Sequence, residues 1–244
     1  MRNPVSVFAM LGALGFVSAC VAHEALGHGL SCLLTGGSIK LLTSVYFKCV
    51  PAPPFVDAAG PLMNLLVALA AYLAIVSRKL SLASNAMLAL IVAFNAFWGS
   101  GYFVYSAAFN TGDLAYVLRD LNAQPRAIWR IAMGLAGIII YITSLRYVAK
   151  FLPRGRALFA AYVASGVTAC LSVACYSGPL VPALREAILE SLVASAGLVY
   201  LSWLRRDAEL DAITIASAFT GKYFTSSVAV VLATFIATLG RGFS

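Results

Sequence analysis

The sequence predicts an all-α polytopic membrane protein of six or seven transmembrane helices, with a short β-like segment between the first two. Three observations carry this expectation. Of 244 residues, 61% are hydrophobic and only 11% charged, where a soluble domain carries about a quarter charged residues. Mean hydropathy is +0.91. Apolar runs long enough to cross about 30 Å of hydrocarbon recur at 5–34, 60–77, 82–109, 127–149, 157–176, 183–203 and 223–240, the last rich in Ser and Thr. The connections between them leave no room for a separate soluble domain.

The first run is too long for a perpendicular span at about 1.5 Å per residue, so it must tilt, break or protrude, and Gly27 and Gly29 are its weak points. Arg2, the apolar stretch and Val17-Ser18-Ala19-Cys20 together have the look of a lipoprotein leader. The apolar run continues unbroken to Leu34, however, whereas a leader's apolar region is short and ends at its cleavage site. Thr35-Gly36-Gly37 is a turn signal. The following "SIKLLTSVYFKCV" is rich in β-branched and aromatic residues, and Pro-rich "PAPPF" ends it, which predicts a strand or hairpin at the membrane surface. A second helix is expected to open at "AAGPLMNLL", with Pro61 in its first turn. The third is expected to run through "AAFNTGDLAYVLRDLN". Residues 1–120 form the expected functional core and 121–244 a set of accessory helices; no internal repeat is evident.

The net charge of +8 sits mostly in short loops, at Arg78-Lys79, Lys150 to Arg156 and Arg205-Arg206. Topology setting and contact with anionic lipid headgroups account for it without nucleic acid. About ten of the 17 Lys and Arg would share the side of the N-terminus, which favours a cytoplasmic N-terminus. We expect a multi-pass protein of a bacterial inner or plasma membrane. The five cysteines, Cys20, Cys32, Cys49, Cys170 and Cys175, show no Cys-x-x-Cys spacing. Four fall in apolar helices, where they read as small buried hydrophobes, so a disulfide framework is not expected.

The only two histidines stand together in "AHEALGHGL", as His23 and His28, with Glu24 beside the first. Each could be a polar residue turned into a helix bundle. Three titratable groups within six residues of an apolar helix are nevertheless costly to keep for packing alone, and intramembrane ionisable groups mark functional sites. Zinc peptidases use His-Glu-x-x-His, two histidines as ligands and the glutamate as general base. Here three residues separate Glu24 from His28. Residues four apart on an α-helix lie about 40° apart around the axis, but residues five apart lie about 140° apart and could not share a metal. The spacing therefore predicts a π-bulge or irregular turn near Ala25 to Gly27, which Gly27 would ease.

With these residues in view, the first 115 or so residues resemble the site-2 protease family of intramembrane zinc metalloproteases. The matching features are His23, Glu24, Gly27, His28 and Gly36-Gly37; Gly60, Pro61 and Asn64 as a Gly-Pro-x-x-Asn element; and Asp113 in "NTGDLAY". The chain departs from the family in its longer histidine spacing and in a loose echo of the motif around the aspartate, although a soluble zinc dipeptidyl-peptidase family uses His-Glu-x-x-Gly-His. The resemblance implies Zn2+ held by His23, His28 and Asp113, Glu24 as the catalytic base, Asn64 as a substrate contact, and a transmembrane segment of another membrane protein as substrate. The family pattern would put the site on the cytoplasmic side. Yet His23 lies about 27 Å along the helix from Val5, so the loop charges place it opposite the N-terminus, on the outer side.

Read from the residues alone, the third ligand could be Asp57, Asp113, Glu186 or Glu190. Asp113 could equally serve a helix start beside Asn110 or Thr111. Asp57 reads as a helix-start acid, and Glu186 and Glu190, one turn apart beside Arg185, as an interfacial helix end. Asn64 could simply make an interhelical hydrogen bond. The 38–50 segment could accept an unwound substrate by edge pairing. The rival readings are a family member without peptidase activity and a membrane metal-binding or transport protein.

Overall fold

A computed structural model of the chain describes residues 3–124, 126–204, 209–219 and 221–243. The loop pair Arg205-Arg206 lies outside the described residues. Among the described residues six helices are long and apolar enough to cross a membrane: α1 (Pro4–Leu34), α2 (Pro54–Ser77), α3 (Leu82–Phe109), α5 (Arg126–Val148), α6 (Arg156–Ala174) and α10 (Lys222–Gly240). Between them lie β1 (Ser38–Leu42), β2 (Phe47–Val50), α4 (Asp113–Asp120), α7 (Leu180–Ile188), α8 (Ala196–Trp203) and α9 (Glu209–Ser217).

The buried centre is α1, which packs against α6 on one side and α3 on the other. Phe16 on α1 stacks on Trp98 of α3 at 5.7 Å between ring centres and meets Phe235 of α10 edge-on at 6.1 Å. Helix α5 lies outside α3 and turns Ile128, Ile131, Leu135 and Ile139 outward, as a lipid-facing helix should.

Three expected boundaries move. The helix expected from residue 60 starts at Pro54, because Pro53 in extended conformation and Pro54 at the first position set its start. Pro61 therefore sits inside α2 rather than in its first turn. The third helix ends earlier than expected, since Asn110 (φ 54°) and Gly112 (φ 87°) turn the chain back and make α4 a separate helix beginning at Asp113. The run expected as a span at 183–203 is broken: α7 passes into a π-helical turn at Leu189–Val193 before α8.

The expected hairpin is present. β1 and β2 pair antiparallel, with Ile39 opposite Cys49 and an irregularity between Ile39 and Leu41. The outer edge of β1 is closed at Leu42, which exchanges two backbone hydrogen bonds of 2.9 Å with Phe243. The cysteine expectation is corrected: Cys32 at the end of α1 is disulfide-bonded to Cys49 on β2, leaving Cys20, Cys170 and Cys175 free. The turn at Thr35 to Gly37 folds the hairpin back over the end of its own helix, a pairing that spacing along the chain does not announce.

Candidate metal centre

Helix α1 is π-helical from Val21 to Gly29, and its closing bond runs from the Leu30 N–H to the Ala25 carbonyl, five residues back. In that geometry residues five apart follow one another up a single face, so His23 and His28 turn to the same pocket. Their ring centres are 4.8 Å apart. Gly27 has a reason beyond easing the bulge: a Cβ there would come within 2.6 Å of Gly60 Cα and 2.7 Å of the Ala59 carbonyl, so its bareness lets α2 press against the π-helical turn.

Each imidazole is oriented from behind. His23 Nδ1 donates to Asn64 Oδ1 at 2.7 Å, and His28 Nδ1 donates to the Val56 carbonyl at 2.7 Å. With both Nδ1 atoms protonated, both Nε2 atoms are acceptors facing forward, the arrangement metal-ligating histidines adopt. The His23 ring is sandwiched by Trp98 at 5.3 Å and Tyr102 at 4.8 Å, and the His28 ring is covered by Phe47 of β2 at 5.3 Å. At Gly60 of α2 a Cβ would collide with His28 Nε2 and sit 2.7 Å from His23 Nε2. Glycine is required there so that the rings can meet.

Asp113, the first residue of α4, completes a triangle. His23 Nε2 and His28 Nε2 are 3.2 Å apart, and Asp113 Oδ2 lies 3.1 Å from the first and 3.4 Å from the second. Donor atoms at two corners of a tetrahedron with bonds of 2.0–2.1 Å lie roughly 3.3–3.4 Å apart. The three edges fit a zinc ion, and the three converging atoms could hold a metal ion between them.

Glu24 is 3% exposed, lines the same cavity of about 340 Å³, and its Oε2 is buried without a hydrogen-bond partner. An orphaned buried carboxylate oxygen beside this His-His-Asp triangle has a chemical use: it can accept a proton from a water molecule.

Asn64, expected to touch substrate, is fully buried, and its amide is fully engaged. Beyond His23, its Nδ2 donates to the Ala19 carbonyl at 2.9 Å and to Asn95 Oδ1 at 3.1 Å. The side chain makes an interhelical bond that orients His23. Replacing Asn64 with alanine should lower zinc affinity about 10- to 100-fold, the usual cost of losing such an orienting partner; titration against a chelator measures it.

Of the other candidate acids, Asp57 stands in the first turn of α2, as expected, and also lines the cavity. Glu190 overturns the interfacial reading. It is 5% exposed, sits on the π-helical turn after α7, and its Oε1 accepts a 3.0 Å hydrogen bond from Tyr102. Tyr102, Tyr105 and Phe47 belong to the site but were not singled out in the sequence; as aromatic residues in apolar helices and strands they carry no signal of their own.

No family model, no curated protein and no solved structure matches the chain.

Proposed function

We propose that the protein is an intramembrane zinc metalloendopeptidase that hydrolyses a peptide bond in or near a transmembrane segment of another membrane protein. The observation that carries the proposal is the triangle of His23 Nε2, His28 Nε2 and Asp113 Oδ2, with edges of 3.1–3.4 Å, beside the unpartnered carboxylate of Glu24. His23, His28 and Asp113 would hold the zinc, which supplies Lewis acidity to the carbonyl under attack. Glu24 takes the proton from the attacking water as the new C–O bond forms, and passes it to the leaving amine as the C–N bond breaks. Asn64 and the Val56 carbonyl keep the imidazoles in register. The substrate segment must be extended, because helical peptide bonds are shielded. Among the described residues β2 pairs only with β1 in the sheet, and its Phe47, with Val45 and Tyr46 before it, lines the cavity. An extended peptide can therefore add at the β2 edge, whereas the β1 edge is already taken at Leu42 by Phe243.

The deciding test separates metal binding from turnover. Wild-type protein should carry about one zinc per chain by elemental analysis. Glu24→Gln should keep that zinc and lose about 10²- to 10⁴-fold in hydrolysis, the contribution of a positioned acid–base group. The assay substrate comes from the membrane proteins that accumulate uncut in cells carrying Glu24→Gln. A metal-handling protein would show little sensitivity to this substitution, and equal turnover in the two proteins would refute the peptidase.

A further inference from the structure

The charge of the metal cavity runs opposite to that of the chain. The protein carries a net charge of +8, yet five of its nine acids, Glu24, Asp57, Asp113, Glu186 and Glu190, line this one cavity. Among the described residues, no Lys or Arg lines it. The metal triad uses Asp113, and general-base chemistry uses Glu24. Asp57 and Glu186 are only partly buried, and Glu186 has Arg185 nearby to offset it. That leaves Glu190, 5% exposed, with Tyr102 donating to Oε1 and with Oε2 buried and unpartnered.

A second observation says what Glu190 faces. A separate cavity of about 370 Å³ lies against the first, with a wall of Trp98, Val104, Ile138 and Leu189 that is almost wholly apolar. The two cavities share Tyr102, Tyr105, Glu186 and Glu190. A carboxylate at the seam between an apolar chamber and a metal centre suits a ligand with an aliphatic stem and a cationic head. Lysine and arginine side chains have that build, their methylenes lying along apolar surface while the charge reaches a polar partner.

We propose that Glu190 is a specificity-determining residue that binds the side chain of a lysine or arginine next to the bond being cut, its stem lodged in the apolar chamber. This rests on the peptidase reading and narrows its substrate class. It gives the orphaned Oε2 a donor and explains why an acid is kept within an apolar wall, where an unpaired charge is costly. Tyr102, bonded to Glu190 and stacked on His23, ties the subsite to the metal centre.

The test uses full-length, zinc-loaded protein in nanodiscs and a panel of fluorescent apolar peptides. A single residue, lysine, its uncharged isostere norleucine or glutamate, is moved through successive positions. Binding is read by anisotropy and turnover by mass spectrometry. At one position wild type should bind the lysine peptide about 10- to 100-fold tighter than norleucine, the usual worth of a charged hydrogen bond, and glutamate least well. Glu190→Gln should bring the lysine-to-norleucine ratio to about one with zinc content unchanged. The wild-type arm stands even where Glu190→Gln does not fold. No preference at any position, a preference that survives Glu190→Gln, or a loss of bound zinc in the folded variant would each overturn the proposal. Selective, Glu190-dependent binding without turnover of any peptide would strike down the peptidase and leave the subsite.

Discussion

Protein carrying both His23→Ala and His28→Ala is expected to purify without zinc. No other histidine exists to replace them, and Asp113 alone offers one oxygen where three donors converge. Either single substitution should remove most of the metal, because two donors rarely hold zinc against a competing chelator. Hydrolysis should fall by at least about 10³-fold, since the Lewis acidity at stake is worth several kcal/mol and each 1.36 kcal/mol is tenfold in rate. Asp113→Asn should weaken metal binding and abolish cleavage as well, whereas Asp57→Asn should leave zinc in place. Elemental analysis alongside a turnover assay checks the set. Full zinc occupancy in the double histidine variant would sink the metal centre altogether.

The second large effect is expected from a single methyl group. Gly60→Ala adds a Cβ where the two Nε2 atoms converge, within 2.7 Å of His23 Nε2 and in collision with His28 Nε2. The rings are pinned on their far sides by Asn64, Val56, Trp98, Tyr102 and Phe47, so they cannot swing clear. Overpacking of this kind costs about 1–3 kcal/mol. Relief comes by spreading the donors, so zinc binding should fail before the fold does. A matched control is Gly101→Ala, where the nearest side-chain atom, Ala194 Cβ, is 3.8 Å from the added carbon; that variant should keep its metal. Loss of zinc in both variants, or in neither, would show that the clash at Gly60 does not govern the site.

The centre was legible where chemistry and spacing meet in one segment. His23, Glu24 and His28 stand out because they cluster within six residues of one apolar helix, and the extra residue between Glu24 and His28 calls for the wider helical turn found from Val21 to Gly29. Asp113 was legible only with the help of a family resemblance, because a helix-start acid and a ligand look alike in sequence; here it opens α4 and also lies against both histidines. Asn64 was marked as important, but its role depends on where α2 crosses α1, which no local pattern encodes. Glu190 reads in sequence as part of an interfacial helix end because Glu186 lies one turn away and Arg185 beside them. Its burial comes from the π-helical turn that rotates it inward and from a tyrosine on a distant helix. The contact of Gly60 with the two imidazoles, unlike its place in the Gly-Pro-x-x-Asn element, and the pairing of Cys32 with Cys49 were illegible for the same reason. Each is set by contact between segments far apart in the chain, and periodicity reports only on neighbours.

The bond between Cys32 and Cys49 bears on which way the molecule faces. It joins the last turn of α1, the end that carries His28, to the strand whose Phe47 lies over that histidine. Cytosolic thiol buffers keep ordinary protein cysteines reduced, while periplasmic and extracellular space lets them pair. Were this bond formed in an oxidising compartment, the end of α1 that carries His28 would face outward and the N-terminus inward, the orientation that the loop charges also favour. Peptide bonds would then be cut on the far side of the bilayer from the cytoplasm, and zinc would be drawn from the exterior pool.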